Sequence, residues 1–253
     1  MTPGTLARLF AAMVVLTVVQ VAILLQFDWF GDAGSEEAEP IDTLFDVMIV
    51  LSSFVFAVVL VMLGYAVWKY RAKPGDESDG EPIHGNTRLE IAWTVIPTII
   101  VLIGAGYSWI VLDDIEAKAD DRMPLNVTAQ QFKWTFEYPE EDGLTTDELH
   151  VPVDRQLELH LSALDVLHSF WVPEWRIKRD LVPSGAGGEE VDDEAVVTPD
   201  TEGTYSLVCT ELCGLGHATM RATVVVESEQ EFDQWVAEQQ QTQTQGGGSD
   251  SGA

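Results

Sequence analysis

Two long runs without a charged residue decide most of what this chain can be. Val47 to Trp68 and Ile91 to Leu112 carry none, and a helix rising about 1.5 Å per residue over either run crosses the roughly 30 Å hydrocarbon core of a bilayer. Buried helices of a water-soluble core would show polar stripes at helical spacing. Neither run has the polar residues to draw one, so both are predicted to be transmembrane helices, forming a hairpin over residues 44–112. A third apolar run, Leu9 to Phe27, follows Arg8. A basic residue ahead of an apolar run opens both a membrane helix and a secretory signal, so residues 1–30 read as one or the other.

The loops give the orientation. Lys69, Arg71, Lys73 and Arg88 lie between the two runs, whereas Asp28 to Asp46 holds neither Lys nor Arg. By the positive-inside bias the 69–90 loop is cytoplasmic. The chain is then a multi-pass protein of the cell (plasma) membrane, with everything after Leu112 on the outer face. That outer part holds 30 acidic against 8 basic residues, the source of most of the net charge of −29. Such a surface disfavours nucleic acid as a partner. It would steer a basic protein at low salt, but acids also keep a protein hydrated in concentrated brine, where screening shortens steering to a few ångströms. Their even spread along the outer part favours the second reading, that of a halophile's protein.

After a charged stalk, Asp113 to Arg122, the pattern turns to short strands. Leu157, Leu159 and Leu161 alternate with Glu158, His160 and Ser162, as in a half-buried strand. Leu125 to Thr128, Lys133 to Tyr138, Thr204 to Val208 and Ala222 to Val226 are further strands. Separated by Pro, Gly and Asp clusters over residues 123–228, they predict a small sandwich or Greek-key barrel. The fold class is α+β: a membrane helical hairpin plus an exported all-β domain. Gly185 to Glu194 reads as a surface excursion. Glu229 to Gln240, with Phe232, Trp235 and Val236, reads as a short amphipathic helix. Gln, Thr, Gly and Ser dominate from Gln241 onward and predict a disordered end to the segment 229–253.

The chain's two cysteines both lie in the stretch Cys209-Thr210-Glu211-Leu212-Cys213-Gly214-Leu215-Gly216-His217-Ala218-Thr219-Met220. Thiolate and thioether are soft ligands suited to copper, imidazole accepts either of its oxidation states, and structural zinc does not normally take methionine. A Cys209–Cys213 disulfide with His217 and Met220 as bystanders is the bland alternative outside the cell. A single blue-copper ion needs one thiolate and two imidazoles. This loop has one thiolate too many for that. Two thiolates can instead bridge two coppers, and the second metal then needs an imidazole from elsewhere. His84 is on the cytoplasmic side, His160 fits an exposed strand position and His150 lies in a polar segment before Pro152. His168, ahead of the apolar stretch Ser169 to Pro173, is the remaining choice.

With these motifs in view, the chain resembles subunit II of the haem–copper respiratory oxidases, the copper-containing cytochrome c oxidase type. The resemblance rests on Cys-x-Glu-x-Cys-x-x-x-His-x-x-Met at 209–220, on Asp165-Val166-Leu167-His168-Ser169, and on the aromatic segment Gln131 to Tyr138. It implies a cupredoxin-like barrel holding the binuclear CuA centre. Cys209 and Cys213 would bridge, His168 and His217 would be terminal ligands, Met220 a weak ligand, and Glu211 a ligand through its carbonyl. The Glu211 carboxylate would also reach a magnesium ion shared with subunit I. Related quinol oxidase subunits keep the fold and lack these ligands; this chain has them all. The implied partners are subunit I, other oxidase subunits and a soluble donor, either cytochrome c or a small blue copper protein. Electrons would pass to haem in subunit I, where oxygen becomes water.

Phe132 stands where many family members have the tryptophan that receives the electron, and Trp134 is retained, so either is expected to mark the donor face. Glu90 stands where the family has an acid at the mouth of a proton path, although Thr87-Arg88-Leu89-Glu90 also fits a helix capping box. Pro183-Ser184-Gly185 replaces the family's Pro-Gly-Arg. A CuA subunit of a nitric oxide reductase would share the hairpin and loop, and a membrane-tethered copper chaperone would share the sulfur ligands.

Overall fold

In the computed structural model the apolar runs become three helices, α1 (Pro3–Leu24), α2 (Ala38–Tyr70) and α3 (Thr87–Ile115), each long and apolar enough to cross a membrane. The structure describes residues 2–72, 74, 75, 80, 82, 84–183 and 193–246. The chain divides into two compact units, residues 1–29 with 42–111, and residues 30–41 with 112–253.

The helices of the first unit are apolar on all sides. Trp93, Ile103 and Trp109 are exposed, as they are when acyl chains rather than protein cover them. Both hairpin helices overrun the charge-free stretches: α2 begins at Ala38, and α3 passes through Asp113 and Asp114 to end at Ile115. Asn86, rather than Thr87, caps α3. Its Oδ1 accepts from the N–H groups of Arg88 (3.2 Å) and Leu89 (3.3 Å), while Glu90 Oε1 accepts from the Asn86 N–H at 3.1 Å.

The second unit holds the strands β1 (Met123–Gln130), β2 (Lys133–Tyr138), β3 (Leu144–Thr146), β4 (Leu149–Pro152), β5 (Leu157–Ala163), β6 (His168–Trp171), β7 (Lys178–Leu181), β8 (Asp193–Val197), β9 (Gly203–Cys209) and β10 (Arg221–Glu227). They form two five-stranded sheets, β3-β2-β1-β5-β8 and β4-β10-β9-β6-β7. Hairpin pairs are antiparallel, while β1 runs parallel to β5 and β10 parallel to β4. Such crossovers between sheets give the Greek-key character. Period-two burial fills the space between the sheets: Leu125 and Val127 from β1, Trp134, Phe136 and Tyr138 from β2, Leu157, Leu159 and Leu161 from β5.

β3, β4, β6 and β7 escaped the sequence reading because three or four residues are too few to show alternation. β8 escaped because its acidic start hides it: Asp193 and Glu194, the end of the expected excursion, pair with Leu161 and His160 of β5. The rest of that excursion, residues 185–192, lies outside the described residues, as do residues 247–253 of the expected tail. The amphipathic helix α4 (Glu229–Gly246) continues past Gln240. Ser228 and Glu231 form its capping box, Phe232 and Val236 are buried against the barrel, and Trp235 stacks on the His150 ring at 4.2 Å.

Residues 30–41 belong to this outer unit, a placement that no local pattern announces. The segment lies along the turn after β6 and the end of β8. Gly34 N–H donates to the Glu174 carbonyl (2.9 Å), Glu36 N–H to the Thr198 carbonyl (3.0 Å) and Ser35 Oγ to the Trp175 carbonyl (3.1 Å). Both oxygens of the buried Glu37 carboxylate accept from Thr198 N–H at 3.0 Å. The Arg176 guanidinium donates to the carbonyls of Gly31 (2.8 Å) and Phe30 (3.3 Å) and lies over the Phe30 ring.

Candidate metal centre

Strand pairing brings the distant ligands together. β6 pairs with β9 so that Phe170 faces Cys209, which sets His168, at the head of β6, beside the loop leaving β9. The neck of that loop is closed where Cys209 N–H donates to the Met220 carbonyl (3.1 Å), and Thr210 N–H ties it to the Ser169 carbonyl (3.1 Å). The ligand atoms of His168, Cys209 and Cys213 all lie within 4.8 Å of one another.

The two sulfurs are 3.8 Å apart and both cysteines are free, so the disulfide reading fails. A disulfide requires about 2.05 Å. Cys209 Sγ has His168 Nδ1 at 3.8 Å and the Glu211 carbonyl at 3.4 Å; Cys213 Sγ has His217 Nδ1 at 3.7 Å and Met220 Sδ at 3.8 Å. Two donors that share an ion at about 2.0–2.3 Å each, at a near-tetrahedral angle, lie roughly 3–4 Å apart. Each of the other four sequence-predicted ligands thus has an atom beside one of the two sulfurs. His168 and Met220 are fully buried, the cysteines nearly so, and His217 is half-buried.

The surroundings hold the ligands in place. Asp165 Oδ1 lies 2.9 Å from His168 Nε2, an arrangement that puts the ring proton on Nε2 and leaves the Nδ1 lone pair open to a metal. Burial alone would raise the Asp165 carboxyl, but the Gln131 N–H, the His168 ring and the Val166 N–H together hold it below its usual range. Gln131 joins both halves of the site: its backbone N–H donates to Asp165 Oδ2 (2.7 Å) and its side-chain Nε2 to the Cys213 carbonyl (2.5 Å). Burial, with the neighbouring Cys209 adding to it, pushes the Cys213 thiol up to about 11; a bound cation reverses this by displacing the proton.

Phe132 and Trp134 separate cleanly. Phe132 is 40% exposed and lies against the ligand loop; a Cβ on Gly216 would come within 2.5 Å of its ring and would force the ring to move. Trp134 is 2% exposed, a core residue edge-on to His168 with ring centroids 6.4 Å apart. Glu90 lies in the other unit, engaged in the α3 cap. Sequence reasoning missed Asp165 and Gln131 as positioning residues. Both stand within the quoted motifs, but their role depends on loops that are neighbours only in space.

A Greek-key barrel that gathers two thiols, two imidazoles and a thioether at one end, in a chain with membrane-spanning helices, defines a membrane-anchored copper protein of the cupredoxin-like class. The family model "Cytochrome C oxidase subunit II, transmembrane domain" matches residues 22–111, and the "periplasmic domain" model of the same family matches residues 144–229. Cytochrome c oxidase subunit 2 of Synechocystis sp. is 31% identical, covering 93% of this chain and 82% of that one. Quinol oxidase subunit 2 of Bacillus cereus is 30% identical over 76% of this chain and 66% of that one. Among solved structures, the periplasmic domain of cytochrome oxidase subunit II of Bradyrhizobium japonicum aligns with a TM-score of 0.45 at 25% identity, covering 50% of this chain and 98% of that one. The chain belongs to the cytochrome c oxidase subunit II family. It is the electron-transfer subunit of an oxidase complex, with its C-terminal domain outside.

Proposed function

We propose that the outer domain holds a binuclear copper centre, with Cys209 and Cys213 shared between the metals, His168 and His217 as the imidazole ligands, and Met220 and the Glu211 carbonyl completing the set. The observation that carries this reading is the pair of sulfurs 3.8 Å apart, each with an imidazole nitrogen of its own beside it. When bound, such a centre supplies a one-electron relay from an outer-face donor toward subunit I. The protein's part is rigidity: Asp165 fixes one imidazole, Gln131 ties the two halves, and the buried loop neck keeps ligand positions constant between redox states. Burial of His168 and Met220 speaks against a chaperone, whose sulfur ligands must be reachable for exchange.

The Glu211 carboxylate is assigned, by the resemblance, to a magnesium ion shared with subunit I. The acid-rich outer surface suits a halophile's brine. The domain limits are proposed as 44–112 for the hairpin and 123–228 for the copper domain.

Purifying the oxidase complex and recording its copper content and electron-spin spectrum tests the centre. Two equivalent coppers sharing one unpaired electron are expected, and a single isolated copper would refute it. Glu90→Gln separates the two roles of that residue, because an amide oxygen still accepts from Asn86. Slower oxygen reduction in this variant assigns Glu90 to a proton path; an unchanged rate leaves it a cap.

A further inference from the structure

Two polar side chains of the membrane helices hold a buried atom that has no hydrogen-bond partner among the described residues: Gln20 of α1 through Oε1 and Ser53 of α2 through Oγ. In the same unit the hydroxyls of Thr17, Thr94, Thr98 and Ser108 each donate to the carbonyl four residues earlier, at 2.8, 2.9, 2.7 and 2.9 Å. That bond satisfies a hydroxyl inside a membrane helix without any outside partner. Ser53, only 4% exposed, does not make it. An unpaired polar atom is costly where no bulk water reaches it, so both atoms call for a partner that the chain itself does not supply.

Gln20 and Ser53 line one cavity of about 540 Å³ between α1 and α2, and Trp29, Phe45, Met48 and Phe56 contribute to its walls. This volume falls within the roughly 300–1,000 Å³ of small-molecule sites, which are largely apolar with a few convergent polar groups. No charged side chain is among the described residues that line it. Trp29 and Phe45 meet edge-on, with ring centroids 6.0 Å apart. The segment joining α1 to α2 belongs to the outer domain. The cavity, set by the end of α1 and the first half of α2, therefore lies toward the outer half of the membrane span.

We propose that this cavity binds a neutral, ring-bearing lipid through a free hydroxyl, the chemistry shared by reduced quinols and polycyclic alcohols. A hydroxyl both donates and accepts: its proton goes to Gln20 Oε1, and its oxygen accepts from the Ser53 hydroxyl. A phosphate head would find no counter-charge in these walls, and a ketone or ester would bring no donor for Gln20 Oε1. The rings of Trp29, Phe45 and Phe56 offer faces and edges to a flat ring. The site binds and does not react: no electron or group is transferred there, and nothing in it depends on the copper centre.

The test uses the intact oxidase complex in lipid nanodiscs and two photoreactive probes, 4-hydroxybenzophenone in its neutral form and its methyl ether, which lacks only the donor. Labelled peptides are read by mass spectrometry as the probe concentration is raised. Saturable labelling of α1 and α2 is expected, with the phenol half-saturating about fivefold below the ether, the scale of one net hydrogen bond. Gln20→Leu should bring that ratio close to one. Ser53→Ala should weaken both probes about equally, because both keep an acceptor oxygen, and Ser53→Thr should keep the binding. Lipids extracted from the gently solubilised complex should contain a quinol or a polycyclic alcohol that the Gln20→Leu complex lacks, and its mass says which. Unsaturable labelling, equal affinity for phenol and ether, or a ratio that Gln20→Leu leaves unchanged would overturn the proposal. So would a lipid extract in which neither species differs between the two complexes, or a mature chain whose intact mass shows that α1 has been removed.

Discussion

The membrane helices and the outer barrel use the same apolar residue types in opposite ways. Trp93, Ile103 and Trp109 of α3 face outward, while Trp134, Phe136 and Trp175 of the barrel are buried. The barrel's stability is its own, built from side chains interlocked between two sheets. The helices draw theirs from the bilayer, which satisfies apolar surface without specific partners. The lesson is that position-by-position tolerance should differ: shape matters in the barrel, and only hydropathy matters on the lipid side.

The largest expected effect is on the one part of the barrel that neither rule governs. Cys213→Ser removes a ligand proposed to be shared by two coppers, and the copper content of the purified chain should fall by half or more, with the shared-electron hyperfine pattern lost. Next comes the direct comparison. Phe136→Ala should destabilise the outer domain by about 3–5 kcal/mol in denaturant melts without affecting membrane insertion. Ile103→Asp should raise the cost of inserting α3 by about 3–4 kcal/mol in a translocation assay while the barrel melts normally. If Phe136→Ala impaired insertion, or Ile103→Asp lowered the barrel's melting point, the two units would not be energetically separate.

A smaller effect probes the segment 30–41, which follows α1 in sequence yet belongs with the barrel. Glu37→Ala leaves Thr198 N–H without its carboxylate acceptor and should cost about 1–3 kcal/mol, seen as faster hydrogen exchange at Thr198. Smallest is the ion-pair network at the largely buried Glu158. Its salt bridges with Lys118 (2.8 Å) and Arg122 (2.8 Å) lower its carboxyl from 4.5, hydrogen bonding by Lys118 being the main cause. A lowered folded-state value gives a stability that is fully present above the unfolded-state value of 4.5 and is lost as pH falls through the folded value. Glu158→Gln should therefore melt a few degrees lower at neutral pH and show a flatter loss of stability into acid.

The features legible in sequence were those with a local signature. Charge-free runs gave the helices, alternation gave β5, and soft ligands at fixed spacing gave the copper loop. His168 was reached from the residues as the imidazole left after the others were set aside, and its place beside Cys209 follows from a strand pairing that no local pattern encodes. Gln131, Asp165, Arg176 and Glu37 were invisible as structural residues for the same reason: each acts on a partner far away in sequence. Trp134 and Phe132 looked interchangeable in one aromatic stretch, and only the pleat, which turns neighbours two apart in a strand to one side and a turn residue to another, separates core from surface.

The pairing of Phe170 with Cys209 makes the metal centre portable. All but one of its proposed ligands arrive on a single short cassette, residues 209–220, and the remaining imidazole is specified by a position on the adjacent strand. A protein engineer could transplant this cassette into an unrelated barrel, given a histidine two residues ahead of the position facing the first cysteine and a carboxylate to hold its ring.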